Sequence, residues 1–271
     1  MAEVVVIKFG GGLITNKTKL CTPELAVIND LVDVVVQCLD SGKRVIVVHG
    51  AGSFGHLRAK YWRLSEGLVA DEIFVPEGDC SSQIQAVSLV RKDMLTLNSI
   101  IKSAFAKRGI STTSLPPHLW ARNTGSNFDG DIATTFASTE SVPITFGDVV
   151  DCDIGSFGIL SGDDLVVRIC RDVPNVKRLI FAIKGVDGIL SKPPSEALPS
   201  DLIVEWSPSV KFTGIHHTDI DVTGGIGLKS FRGAEVAAMG VDVFIVNGGY
   251  PERLIDACLG KPTRGTQIFS E

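Results

Sequence analysis

The chain has 271 residues, 44% of them hydrophobic and 21% charged, and a formal net charge of −5. Such a composition fits a folded protein with a substantial core, as one large α/β domain or two modest ones. The negative balance argues against a general nucleic-acid binder while leaving room for a local basic pocket, and no run approaches the ~18 apolar residues of a membrane span.

The chain enters a strand without the basic and apolar regions of a signal peptide, so it is expected in the cytoplasm. Cys21, Cys38, Cys80, Cys152, Cys170 and Cys258 are far apart and form no C-x-x-C pair. That spacing argues against a structural zinc site and, with no secretion signal, against a disulfide framework.

Val4–Ile7 has the length and β-branched content of a buried strand. It runs through Lys8 into Gly10, Gly11 and Gly12, with a second lysine at Lys17. Glycines after a buried strand let the backbone approach an anion, but alone they are equally a tight turn. Thr22 is the expected N-cap and Pro23 the first residue of a helix carrying Leu25, Ile28, Leu31, Val32, Val35 and Leu39. Arg44–Val48 is a second strand, predicted parallel to the first. A second glycine loop, His49 to His56, follows at its carboxyl end, where open α/β sheets bind ligands. A helix is expected from Phe54 to Lys60 and a long one from Cys80 to Lys107.

Further strands are predicted at 110–115 and 142–146, with a short helix at 131–138 between them. A hairpin at 148–153 and 156–160 leads to a helix capped by Ser161-Gly162-Asp163-Asp164. Residues 50–170 are expected to build a lid and pocket over the first sheet. Strands at 178–183, 202–206, 243–246 and 265–269 then alternate with a helix that residues 221–229 lead into and that ends near Gly240, and with one from Pro251 to Leu259. His216 and His217 lie in a polar loop with no assignable role.

Three glycine-rich segments, 10–12, 50–55 and 224–227, stand beside predicted strand ends or helix starts. Lys8 and Lys17 accompany the first, His56 closes the second, and Lys229 follows the third. Any one could be a turn, any lysine a solvated surface residue, and His56 a packed or capping histidine. Together they favour a site for two phosphorylated species, where positioning and charge neutralisation do most of the chemistry.

K-F-G-G-G at 8–12, the glycine loop after the second strand, and D-V-T-G-G-I-G-L-K at 221–229 resemble the amino acid kinase superfamily over nearly the whole chain. H-G-A-G-S-F-G-H at 49–56, with I-T-N-K at 14–17 and I-L-S-G-D-D at 159–164, is similar to the isopentenyl phosphate kinase branch of that superfamily. The resemblance implies an α/β fold: a three-layer αβα sandwich with a mainly parallel central sheet and two lobes. It would be a single domain over 1–271, with the acceptor on about 1–170 and ATP on about 171–271. It implies ATP and Mg²⁺, with isopentenyl phosphate as acceptor and dimethylallyl phosphate as a second one. The products would be isopentenyl diphosphate and ADP, and the chain is expected to form a homodimer.

By the same resemblance, Lys8 bridges donor and acceptor, Lys17 contacts the transferred phosphoryl group, and Lys229 holds the ATP phosphates. Gly10, Gly11, Gly12, Ala51, Lys184, Asp187, Gly188, Gly224 and Gly225 are expected around the nucleotide. Gly50, Gly55, His56, Gly162 and Asp163 are expected around the acceptor. The backbone of Gly11, Gly12, Gly50, Gly55, Gly224 and Gly225 should offer N–H groups to phosphates, and the methyl of Ala51 is tolerable if its φ is negative. An imidazole N–H suits a phosphate oxygen, and a phosphate whose second pKa is near 6 is already a dianion that needs no general base. Asp163 is therefore expected to orient lysines or backbone. Mg²⁺ would be held mostly by phosphates and water, since no carboxylate cluster forms a dedicated metal cage. The helix at 80–107, through Ile84, Val87, Val90 and Met94, is expected to wall the isoprenoid slot. One departure is Lys184-Gly185-Val186-Asp187-Gly188, where the superfamily often has T-D-V-D-G on the adenine side. The alternatives are a kinase of another small phosphate or phosphonate (fosfomycin-type), a kinase of an amino-acid carboxylate, or a non-catalytic sensor of nucleotide or isoprenoid phosphate.

Overall fold

A computed structural model describes residues 2–16, 18–69, 74–76, 78, 80–138, 140–210 and 225–271. In chain order the regular elements are β1 (Val4–Phe9), α1 (Gly11–Ile14), α2 (Leu25–Asp40), β2 (Arg44–His49), α3 (His56–Tyr61) and α4 (Gln83–Ala106). Then come β3 (Thr112–Ser114), α5 (Ile132–Thr135), β4 (Val142–Phe146), β5 (Asp148–Asp151), β6 (Phe157–Leu160) and α6 (Gly162–Asp172). The chain closes with β7 (Val176–Ile183), β8 (Glu205–Trp206), α7 (Gly225–Ala237), β9 (Asp242–Asn247), α8 (Pro251–Leu259) and β10 (Thr266–Ile268).

Eight strands form one sheet in the order β3-β4-β2-β1-β7-β9-β10-β8. The six from β3 to β9 run parallel, and β10 pairs antiparallel with β9. β1 lies near the middle, so both its faces must be covered, which explains its unbroken apolar run. Its side chains alternate between two cores. Val5, Ile7 and Phe9 pack with α2, α4 and α8, whereas Val4 and Val6 pack with α5, α6 and α7. The result is the expected three-layer αβα sandwich.

Three expectations change. Thr22 and Pro23 do not start a helix: Pro23 bridges back to Thr15, and α2 begins at Leu25 after Glu24. The segment 50–170 is not all lid, because β3 and β4 extend the main sheet beyond β2 while the β5–β6 hairpin stands as a separate small sheet. The predicted strand at 202–206 shortens to Glu205–Trp206 at the sheet edge. Among the described residues, no helix is long and apolar enough to cross a membrane.

Candidate active site

The carboxyl ends of β1, β2, β4 and β7 open into a cleft of about 380 Å³. Strand period decides what reaches its floor. Lys8 follows Val4 and Val6 onto the α6/α7 face, where it is buried. Its ammonium donates to Asp163, in the first turn of α6. Lys229, from α7, donates to both oxygens of the same carboxylate at 3.1 and 3.2 Å. The Phe181 ring of β7, paired in register with Lys8, lies 5.9 Å from one ammonium and 5.6 Å from the other. The two cations are thus held together by one carboxylate and one aromatic face.

The electrostatics follow from burial. Desolvation would raise the Asp163 carboxyl, but Lys229 and Lys8 outweigh it and hold the group below its ordinary value. Burial pulls the Lys8 ammonium down to about 8, against Asp163, which favours the charge; the neighbouring Lys229 adds to the fall. Asp163 also gains from its place at the amino end of α6, where Ser161 caps the helix and exposed N–H groups favour negative charge. Gly162 makes room for the lysine, since a Cβ there would lie 3.0 Å from Lys8 Cε.

The two glycine loops pack backbone to backbone. A Cβ on Gly11 would lie 2.3 Å from the nitrogen of Gly52, whose own φ of +50° is left-handed. Gly11 and Gly12 open α1, where helix N–H groups lack intrahelical acceptors. The Gly50 N–H instead donates to the Phe9 carbonyl at 2.9 Å and the Gly55 N–H to Gly52 at 3.5 Å, so the expectation that both serve phosphates does not hold. Both sit in close contact: a Cβ on Gly50 would lie 2.6 Å from Gly11 N, and one on Gly55 2.7 Å from Ala51 Cβ. Ala51 has φ −77°, so its methyl is accommodated without strain.

Of the expected residues, Lys8, Gly10, Gly11, Gly12, Gly50, Ala51, Gly55, His56, Gly162, Asp163, Lys184, Gly225 and Lys229 line this one cleft. Lys17, Gly224, His216 and His217 lie outside the described residues. Asp187 and Gly188 are not among the lining residues: Asp187 is clasped by Arg253 at 2.7 Å and by Arg264, and Gly188 packs against Thr266. Lys184 is half-exposed and reaches Glu24 at 3.5 Å. The wall expected from α4 reduces to Val90. Ile84 faces solvent and Val87 and Met94 are core, while Leu57, Ala59, Val149 and Ile159 supply the other apolar lining on that side.

Gly52, of the expected 50–55 loop, also lines the cleft, and Gly147 and Asp148 do so without having been expected there. The signal was present in I-T-F-G-D at 144–148, a buried strand running into glycine like β1 and β2. Asp148 accepts from His118 Nδ1 at 2.6 Å and from the backbone of His118 and Val149. His49 is buried and stacks on Phe146 at 4.8 Å, consistent with the structural role expected of it.

The chain belongs to the amino acid kinase family, whose model matches residues 3–247. Within that family it is similar to isopentenyl phosphate kinases. It is 31% identical to the isopentenyl phosphate kinase of Thermoplasma acidophilum, over 93% of this chain and 95% of that protein. It is 30% identical to that of Arabidopsis thaliana, over 80% of this chain and 68% of that protein. Among solved structures, the product complex of T. acidophilum isopentenyl phosphate kinase superposes with a TM-score of 0.75 at 26% identity, covering 98% of this chain and 99% of that one.

Proposed function

We propose that this enzyme transfers the γ-phosphoryl group of ATP to isopentenyl phosphate, giving isopentenyl diphosphate and ADP. The observation that carries the reading is the pair of ammonium groups, Lys8 and Lys229, held on Asp163 at the floor of a cleft that also presents His56. Phosphoryl transfer needs charge neutralisation at the moving group more than a base. An oxygen of the acceptor phosphate, a dianion at neutral pH, forms the new bond to the γ-phosphorus. The bond from that phosphorus to the β,γ-bridging oxygen breaks, and ADP leaves with the electron pair. Lys8 and Lys229 stabilise the oxygens of the group in flight, with Asp163 holding both in place. Lys17 is assigned to the same group from the first loop.

The acceptor sits on the N-terminal side, within about 1–170, with its phosphate against His56 and Gly162 and its hydrocarbon tail towards Val90, Val149 and Ile159. ATP occupies the side formed by about 171–271, near Lys184, Gly225 and Lys229. The carboxylates lining the cleft among the described residues are already engaged, Asp163 by lysines and Asp148 by His118. That donor set fits Mg²⁺ carried by phosphate oxygens and water, where it would neutralise part of the nucleotide charge. A cytosolic homodimer completes the reading.

The test is a screen of isopentenyl phosphate, dimethylallyl phosphate, fosfomycin, glutamate and UMP with ATP, run with the native protein and His56→Ala. Isopentenyl phosphate should be turned over best by the native protein. His56→Ala should lose about 100-fold or more in turnover, the size of a transition-state hydrogen bond, with ATP affinity within about twofold. Full activity of His56→Ala would remove that residue from the acceptor site, and preference for another acceptor would overturn the substrate.

A further inference from the structure

We propose that Thr15 and Ser53 are positioning residues: buried hydroxyls that lock the first glycine loop to the second and thereby set donor and acceptor in register. The proposal rests on the phosphoryl-transfer reading of the cleft. Neither residue is among those lining it.

Thr15 follows α1 and is fully buried. Its Oγ1 donates to the Gly11 carbonyl at 2.7 Å and accepts the Ser53 N–H at 2.9 Å. Ser53 is equally buried. Its Oγ accepts the Thr22 N–H at 3.2 Å and its carbonyl accepts the Cys21 N–H at 3.2 Å. The segment between is closed on itself: Asn16 N–H donates to Thr22 at 2.9 Å, Glu24 N–H to Ile14 at 2.8 Å, and Thr15 bridges Pro23. Lys17 falls inside that segment in sequence. One hydroxyl therefore ties the start of α1 to Ser53 of the second glycine loop, and Ser53 in turn ties back to the segment bearing Lys17.

The contact is specific. A Cβ on Gly52 would lie 2.0 Å from Thr15 Oγ1 and 2.4 Å from the Gly11 carbonyl, so the loops meet this closely only with glycine between them. Ser53 stands three residues before His56, and Thr15 four after Gly11. A shift of one loop against the other moves the acceptor-side imidazole relative to the N–H groups beside Lys8. In group transfer, a misplacement of about 1 Å can cost about 100-fold in rate. A hydroxyl that both donates and accepts in a buried site is also hard to replace, because its loss strands two backbone groups.

The experiment compares Thr15→Val, which keeps the shape and removes the hydroxyl, with Thr15→Ser, which keeps the hydroxyl, measuring kcat, both KM values and melting temperature. Thr15→Val should lose about 10- to 100-fold in kcat, well below its melting temperature, with the KM for ATP changed less than about threefold. Thr15→Ser should recover to within about threefold of native kcat. Ser53→Ala, which spares the Thr15 bond, should lose less, and the double variant less than the product of the two losses. Native kcat in Thr15→Val, or equal losses in Thr15→Val and Thr15→Ser, would overturn the proposal. Should Thr15→Val not fold, native kcat in Ser53→Ala would do the same. A native protein inactive on isopentenyl phosphate, by contrast, would count against the functional reading itself.

Discussion

Lys8 and His49 lie towards the carboxyl ends of neighbouring strands, yet burial acts on them to different ends. Lys8 keeps a carboxylate partner and stays available to anions in the cleft. Among the described residues His49 meets the Gly50 carbonyl at 3.2 Å, Asn98 and the face of Phe146, and burial outweighs these, pushing its imidazole down to about 4. The sign of the consequence is set by the unfolded chain, where the same imidazole titrates near 6.5. Above 6.5 both states are neutral and the native state keeps its full stability. As pH falls from 6.5 to 4 the unfolded chain takes the proton first, and stability is lost. The expected loss is about 3 kcal/mol from this one group. His49→Phe preserves an aromatic ring against Phe146 and cannot titrate. Urea unfolding between pH 7.5 and 4 should therefore show the native protein losing more stability than the variant; parallel curves would rule the account out.

The elements around the site are fastened in pairs. Asp163 and Asp164, adjacent in the first turn of α6, divide two cations of α7 between them. Asp163 takes Lys229, and Asp164 takes Arg232 at 2.8 Å, one helical turn on. Ser161 holds Asp164 in place, donating to its carboxylate at 2.8 Å and accepting its N–H at 3.0 Å. Arg232 thus fixes the rotation of α7 that aims Lys229 into the cleft. Arg232→Met should raise the KM for ATP about tenfold, the effect of one contact of about 1.4 kcal/mol, with a smaller change in the KM for the acceptor. Steady-state kinetics with each substrate varied would check this; equal changes in both would point to a general loss of packing.

Local signals explain which parts of this arrangement could be read in advance. β1, its glycine loop and Ser161 as a cap follow from residues close in sequence. So did the β5–β6 hairpin. The Asp164–Arg232 bond did not, because it joins residues far apart in the chain. The wall formed by α4 failed for a related reason: an apolar stripe says which face is buried, and Val87 and Met94 meet core where Val90 meets the cleft. Thr22-Pro23 carried the chemistry of a helix start, but pairing of Thr15 with Pro23 took the backbone elsewhere. The reversal at β10 likewise depends on which strand it meets rather than on its own residues.

At the scale of the molecule, a chain of net charge −5 concentrates positive charge where its proposed substrates, both anions, must enter. Lys8 and Lys229 share the single carboxylate of Asp163, so the floor of the cleft carries at most one net positive charge from these three groups, and less once Lys8 begins to release its proton at about 8. A bound polyanion favours the ammonium form and raises that value. At pH 8, where the phosphates are already fully ionised, substrate binding should therefore draw about half a proton from solution. Calorimetric titrations with a non-hydrolysable ATP analogue, in buffers of different ionisation enthalpy, would count it. Heats that do not depend on the buffer at pH 8 would mean that Lys8 is already fully charged before its ligand arrives. If the uptake is found, the enzyme's affinity for phosphates is also a proton ledger, in which each ligand bound in mild alkali leaves the medium slightly more basic.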